Sequence, residues 1–297
     1  MKKTVWVILL AILFIFSFSA VASSADESAD EILKKMSDAS KEISTVEANV
    51  TADMKLLQDE TVYPIDIMME LSVIKNPLTM KMATSYSAEG QTASAMDMYV
   101  IPHADTFTAY INYGSKWLTQ DLTAELLPLV TDQFSDSIDT AKYTDYTSDL
   151  TLLPDDEIMG KKVKVIKGVI SGESLNKMMS SNSYLSTMSD QLPSETGSGA
   201  ENAAVDYSGY NDVEVTFYID SEKYLPVRFE LDMGRFMQDV MKNSSKTEPS
   251  ETPGAEVTDT AKKNSIEDFN MIIDYKSVNE AIEISLPEEA LQNKSAN

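Results

Sequence analysis

Residues Ile219 to Met233 read IDSEKYLPVRFELDM. Val213, Val215, Phe217 and Ile219 lead into the polar Asp220-Ser221-Glu222-Lys223, and Val227, Phe229 and Leu231 follow it. An apolar residue at every second position puts one side of an extended chain in contact with something dry, so the stretch is a β-hairpin with one apolar side. Pro226 opens its second strand, where the missing N–H costs least. Val227, Phe229 and Leu231 are expected to face the concave side of a sheet.

The same period runs through the chain on both sides of the hairpin. Upstream, Val46 to Leu56, Tyr63 to Val73, Leu78 to Met82, Met96 to Val100 and Phe107 to Tyr113 each alternate, with short turns between them. Such a meander of one-faced strands is antiparallel, in contrast to the continuous apolar runs of parallel βαβ units. Val163 to Val169 follows a turn at Asp155 to Gly160, and Phe269 to Tyr275 and Val278 to Leu286 complete nine or ten strands before Pro287. Three segments have helical period: Asp26 to Glu47, with Ser28 and Glu31 in capping-box spacing; Leu122 to Ile138, interrupted by Pro128; and Leu175 to Met188. The helices are too few to flank a doubly wound sheet. The expected class is α+β: a strongly curved antiparallel sheet, an open or half β-barrel, with two to three helices on its concave side.

Met1 to Ala22 has a short basic head, an apolar run from Val5 to Phe18 and an A-x-A end, the parts of a secretory signal peptide, cleaved or kept as an anchor. Residues 26–291 then form one domain, with Ser- and Gly-rich flexible insertions at 189–208 and 242–263. The 297 residues contain no cysteine, so a disulfide framework and a lipid-bearing N-terminal cysteine are both excluded. Net charge is -24, and removal of residues 1–22 takes away two lysines and no acid. A chain this acidic repels nucleic acid and anionic lipid surfaces at long range. The expected location is extracytoplasmic, secreted or on the outer face of the cytoplasmic membrane.

The order of parts, with Gly114-Ser115-Lys116-Trp117 ending a tyrosine-rich segment, the hairpin Ile219-Asp220 to Leu225-Pro226-Val227, and Leu286-Pro287-Glu288-Glu289-Ala290 near the end, resembles the LolA/LppX-like envelope proteins. Within that group it is most similar to an uncharacterised family of secreted prokaryotic lipoproteins. The resemblance covers about residues 26–291. It implies an unclosed barrel whose apolar concave face and helical lid accept acyl chains, and it departs from many relatives in lacking a lipobox cysteine.

Methionine is the strongest compositional signal, with Met54, Met68, Met69, Met80, Met82, Met96 and Met98 close together. Flexible, polarizable thioethers suit a surface that adapts to apolar ligands, and equally suit an irregular core. The residues expected to line a ligand site are Met54, Met69, Met80, Met82, Met98, Phe107, Trp117 (at the rim), Phe217 and Phe229. His103 is the only histidine, in a turn next to Pro102, and no G-x-S-x-G elbow accompanies it. A serine-protease reading thus has little to stand on. Asp155-Asp156-Glu157 and the Asp132, Asp136, Asp139 series lack the calcium-loop pattern and read as solvated acids. No metal site and no cofactor are expected. Arg228 is expected to pair with Glu230 and Asp232. Asn49, Asn243 and Asn293 fit the glycosylation pattern, which matters only in a host with that machinery.

The resulting expectation is an exported, non-enzymatic binding protein of the cell envelope that holds a lipid or other apolar ligand between sheet and helices. The alternative is an interaction or sensor module with a filled core and an acidic partner-binding surface.

Overall fold

The structure is a computed structural model that describes residues 27–58, 61–88, 91–103, 106–114, 116–123, 139–181, 206–244 and 264–292. The segment read as a signal peptide, most of the Leu122 to Ile138 helix, residues 189–205 and 245–263 of the two insertions, and Asn293 lie outside those residues.

Eleven strands form one sheet: β1 (Thr45–Gln58), β2 (Thr61–Lys75), β3 (Leu78–Ala88), β4 (Gln91–His103), β5 (Thr106–Tyr113), β6 (Lys116–Leu122), β7 (Thr147–Ile158), β8 (Lys161–Ile170), β9 (Val213–Asp220), β10 (Pro226–Asp232) and β11 (Asn264–Val278). Their order across the sheet is β6-β5-β4-β3-β2-β1-β11-β10-β9-β8-β7, with every neighbouring pair antiparallel. One meander runs outward from β1, a second returns through β7 to β11, and β11 closes against β1 in the middle. β6 and β7 remain as free edges, so the barrel is open.

The helices are α1 (Ala29–Ser40), α2 (Gly172–Ser181), α3 (Gly234–Ser244) and the short α4 (Glu288–Gln292), with a 3-10 helix at Thr140–Tyr146. The predicted cap of α1 is present: the Ser28 hydroxyl accepts from the Glu31 N–H, and the Glu31 carboxylate accepts from the Ser28 N–H. Those hydrogen bonds to Ser28 hold the Glu31 carboxyl below the usual range. α1 ends at Ser40, earlier than its periodicity suggested, because the alternating residues from Thr45 onward pair as β1.

α1 lays Ile32, Leu33 and Met36 onto one face of the sheet, here called the inner face. Ala141 and Tyr143 of the 3-10 helix, Leu175 of α2 and Phe236 of α3 join the same cluster. Fully burying a side chain such as Ile32, Leu33 or Met36 contributes about 1.5–3 kcal/mol. The Tyr275 hydroxyl donates to Thr140 Oγ1 at 3.0 Å, pinning the 3-10 helix to β11, and burial pushes the Tyr275 phenol well above its ordinary pKa.

Several expectations are corrected. β6 and β7 are strands that periodicity missed, and Asp155 to Glu157 lie within β7 rather than in a turn. The turn is Met159-Gly160, where both residues have positive φ, as a tight two-residue hairpin requires. Residues 279–287 are not a strand. α3 takes in the first residues of the segment read as an insertion from Lys242. A register shift between Pro226 and Arg228 turns Val227 to the outer face, where it packs with Val163 and Val165, while Phe229 and Leu231 face inward as expected.

Candidate functional site

The inner face is best described by its cross-strand rows, because residues paired in register point the same way. One row crosses ten strands: Leu152, Ile166, Phe217, Phe229, Ile273, Val50, Met69, Thr84, Met96 and Tyr113. From Ile166 to Ile273 every member is 0–1 % exposed. Val50, Met69, Thr84 and Met96 are half-buried, and Tyr113 is 58 % exposed. The row nearer α1 reads Ala48, Leu71, Met82, Met98, Ile111 and Leu118, and it too passes from buried to exposed. On the other side of the ten-strand row lie Ile67 and Tyr86, then Met54, Ile65 and Ala88, none of them buried.

These rows divide the inner face into two wings. Over β8 to β11 the helices fill it, with the Phe229 ring 5.0 Å from both Tyr143 and Phe217. Over the outer parts of β1 to β6 an apolar surface of Met54, Ile65, Ile67, Met69, Tyr86, Met96, Met98, Ile111 and Leu118 stays half-exposed to exposed. Neighbouring strands are about 4.8 Å apart, so six strands give this surface a width of roughly 24 Å. It is large enough for an extended apolar ligand. It also exceeds the scattered single apolar residues of an ordinary surface.

The nine residues picked out from the sequence fall into three places. Met54, Met69, Met98 and Phe107 are half-buried inner-face residues of the open wing. Met80, Met82, Phe217 and Phe229 share that face but are buried in the core. Trp117 is on the outer face: its ring lies 6.0 Å from Tyr99, and Tyr110, Ile284, Leu286 and Ala290 pack around the pair. The chain after β11 therefore lies against the back of β4 to β6, and Trp117 is not a rim residue of the methionine surface. The same half-exposed surface also contains Ile65, Ile67, Tyr86, Ile111 and Leu118, which are not among those nine. The signal was there, since each continues the period of two, but only the register says which strands stand side by side.

Apart from the Trp117 and Val227 clusters, the outer face carries rows of polar residues. Asp53 and Asp66 face each other across β1 and β2, and Asn270, Asp232 and Glu214 continue the same row over β11, β10 and β9. Arg228 is held by Asp274 of β11, Nε to Oδ1 at 2.6 Å and Nη2 to Oδ2 at 3.0 Å, with Glu230 3.5 Å away. Of its two expected partners, Glu230 is present and Asp274 replaces Asp232. Burial and the neighbouring Glu230 push the Tyr218 phenol up to about 12. Among the described residues no group of His, Asp and Glu is arranged to hold a metal ion, and no helix is long and apolar enough to cross a membrane. His103 is exposed at the end of β4.

The model of a family of unknown function, DUF6612, matches residues 28–295. The structure is similar to that of the lipoprotein LppX from Mycobacterium tuberculosis, at 14 % identity and a TM-score of 0.46, covering 88 % of this chain and 100 % of that one. It is similar to LprF from Mycobacterium bovis at 13 % identity and 0.46, covering 87 % and 96 %. A DUF1329 family protein from Desulfovibrio piger is matched at 9 % identity and 0.24, covering 86 % and 93 %. No curated protein matches the chain.

Proposed function

The chain belongs to the DUF6612 family, whose function is unknown, and we propose that it is a non-enzymatic binding protein that takes an apolar ligand, an acyl chain, on the open wing of its inner face. The observation that carries this reading is the continuity of half-exposed apolar rows beside a fully packed core on the same sheet. Each methylene removed from water contributes about 0.8 kcal/mol, so a chain of about a dozen carbons binds without any chemistry. Thioether side chains let the floor conform to chains of different shape. Met1 to Ala22, read as an export signal, would deliver the protein outside the cytoplasm.

The test is native mass spectrometry of protein isolated from its own host, followed by displacement of a fluorescent fatty acid from delipidated protein. Bound lipid, and weaker fatty-acid binding after Ile67→Glu or Met98→Glu, are expected. Lipid-free protein that takes up no fatty acid overturns the reading. A second reading rests on the outer face, where the unneutralised Asp53–Asp66 pair suits a cationic partner; a salt-sensitive interaction abolished by Asp53→Asn with fatty-acid binding absent would favour it.

A further inference from the structure

β3 and β4 each carry a Met-x-Met sequence, Met80-Lys81-Met82 and Met96-Asp97-Met98, and the period of two aims all four thioethers at the inner face. Met82 pairs directly with Met98, while Thr84 sits between Met69 on β2 and Met96 on β4. Directly opposed side chains have Cβ atoms about 4.5–5.5 Å apart, and residues two apart on one strand are separated by roughly 6.6 Å. Met69, Met82, Met96 and Met98 thus ring one position within reach of their flexible arms. That position is occupied by a polar atom. The Thr84 hydroxyl oxygen is buried there and has no hydrogen-bond partner, although a hydroxyl can both donate and accept.

A buried polar group without a partner costs free energy that a purely structural strand would avoid with Val or Ala. Packing explains the methionines but leaves this oxygen unexplained. A ligand that accepts several neutral sulfur donors and one oxygen accounts for both. Thioethers select soft cations of the Cu(I) type. With no cysteine and one histidine, methionine is this chain's main supply of soft donors. We propose that Met69, Met82, Met96 and Met98, around Thr84, form a binding site for a soft monovalent cation, Cu(I) or its chemical analogue Ag(I). Two features favour entry. Met96 and Met98 are half-exposed, leaving the ion a path from water and part of its solvation. The acidic chain, with a net charge of -24, raises the local cation concentration.

The site does not depend on an acyl ligand, and the experiment separates the two. The full chain is titrated with Ag(I), which needs no reductant, and followed by native mass spectrometry and by NMR of methionine methyl groups. Tight uptake is expected, with the methyl signals of Met69, Met82, Met96 and Met98 shifting and that of buried Met36 unmoved. Met82→Leu with Met98→Leu keeps side-chain volume and is expected to preserve thermal unfolding, while Ag(I) affinity falls by more than about tenfold. Met68→Leu, on the outer face, is expected to change nothing. Absence of Ag(I) uptake by the unaltered chain, equal affinity in the double leucine variant, or shifts confined to the exposed Met68 and Met159 would each overturn the proposal.

Discussion

Phe229 and Tyr113 stand in the same cross-strand row of the same face, yet one is 0 % and the other 58 % exposed. Tyr113 ends β5 beside the Gly114 turn, one strand from the β6 edge, whereas Phe229 lies inside the central strand β10. Among the described residues the layer above differs as well. Over β8 to β11 the 3-10 helix, α1 and α2 press Ala141, Tyr143, Ile32, Met36 and Leu175 into the sheet, whereas over the outer parts of β1 to β6 the same apolar pattern remains accessible. A period of two says that a face is dry-seeking, and it is silent on what does the covering. The filled wing stabilises the fold, and the open wing is the surface proposed above for binding.

The sharpest way to break this contrast is to truncate one residue from each wing. Phe229→Ala is expected to cost about 3–5 kcal/mol in urea unfolding, because it opens a cavity between Tyr143 and Phe217. A loss under about 1 kcal/mol would mean that the filled wing is not packed.

The second prediction uses the buried phenol of that wing. Tyr275→Phe removes the hydroxyl bonded to Thr140 and is expected to cost about 1 kcal/mol at neutral pH. In alkali the sign follows from the raised pKa values of Tyr275, Tyr218 and Tyr99, in each of which burial is the largest cause. Burial favours the neutral phenol, so that stability is complete below the ordinary tyrosine pKa of about 10 and is lost as pH rises beyond it, through about 12 for Tyr218. A urea midpoint that falls between those pH values, and falls less in Tyr275→Phe, is the expected result.

A third, smaller effect concerns the helical cover. Ser28→Ala removes the hydroxyl that caps α1 and is expected to cost about 1 kcal/mol, read as increased amide exchange in α1 with β8 to β10 unchanged. The smallest effect belongs to the open wing, where Ile67→Ala is expected to shift stability by about 0.5 kcal/mol or less while weakening fatty-acid binding. Equal costs for Ile67→Ala and Phe229→Ala would erase the distinction between the wings.

The fold was legible wherever one periodicity ran unbroken. β1, β2 and the β9–β10 hairpin announce themselves through Val46 to Leu56, Tyr63 to Val73 and Val213 to Leu231. β7 was not legible, because Pro154 and the run Asp155-Asp156-Glu157 look like a turn. Two register shifts and that same acidic run suit an edge strand, which must resist pairing with other chains. β6 hid behind Trp117, whose face depends on the C-terminal segment returning past β4 to β6. Of the residues expected to line a site, Met54, Met69 and Met98 lie half-buried on the open wing, while Met80 and Phe229, with the same alternation, are buried in the core.

By itself the sequence determined an α+β chain built on one-faced antiparallel strands, an acidic cysteine-free surface, and a capped first helix, because alternation, charge and capping are properties of neighbouring residues. Only the tertiary structure decided which strands lie side by side, that Val227 and Trp117 point outward, and that half of the inner face lies under helices. Those outcomes depend on a bulge, on a crossing segment and on the cross-strand register of residues far apart in the chain, and a period of two reads the same whichever layer comes to rest on it.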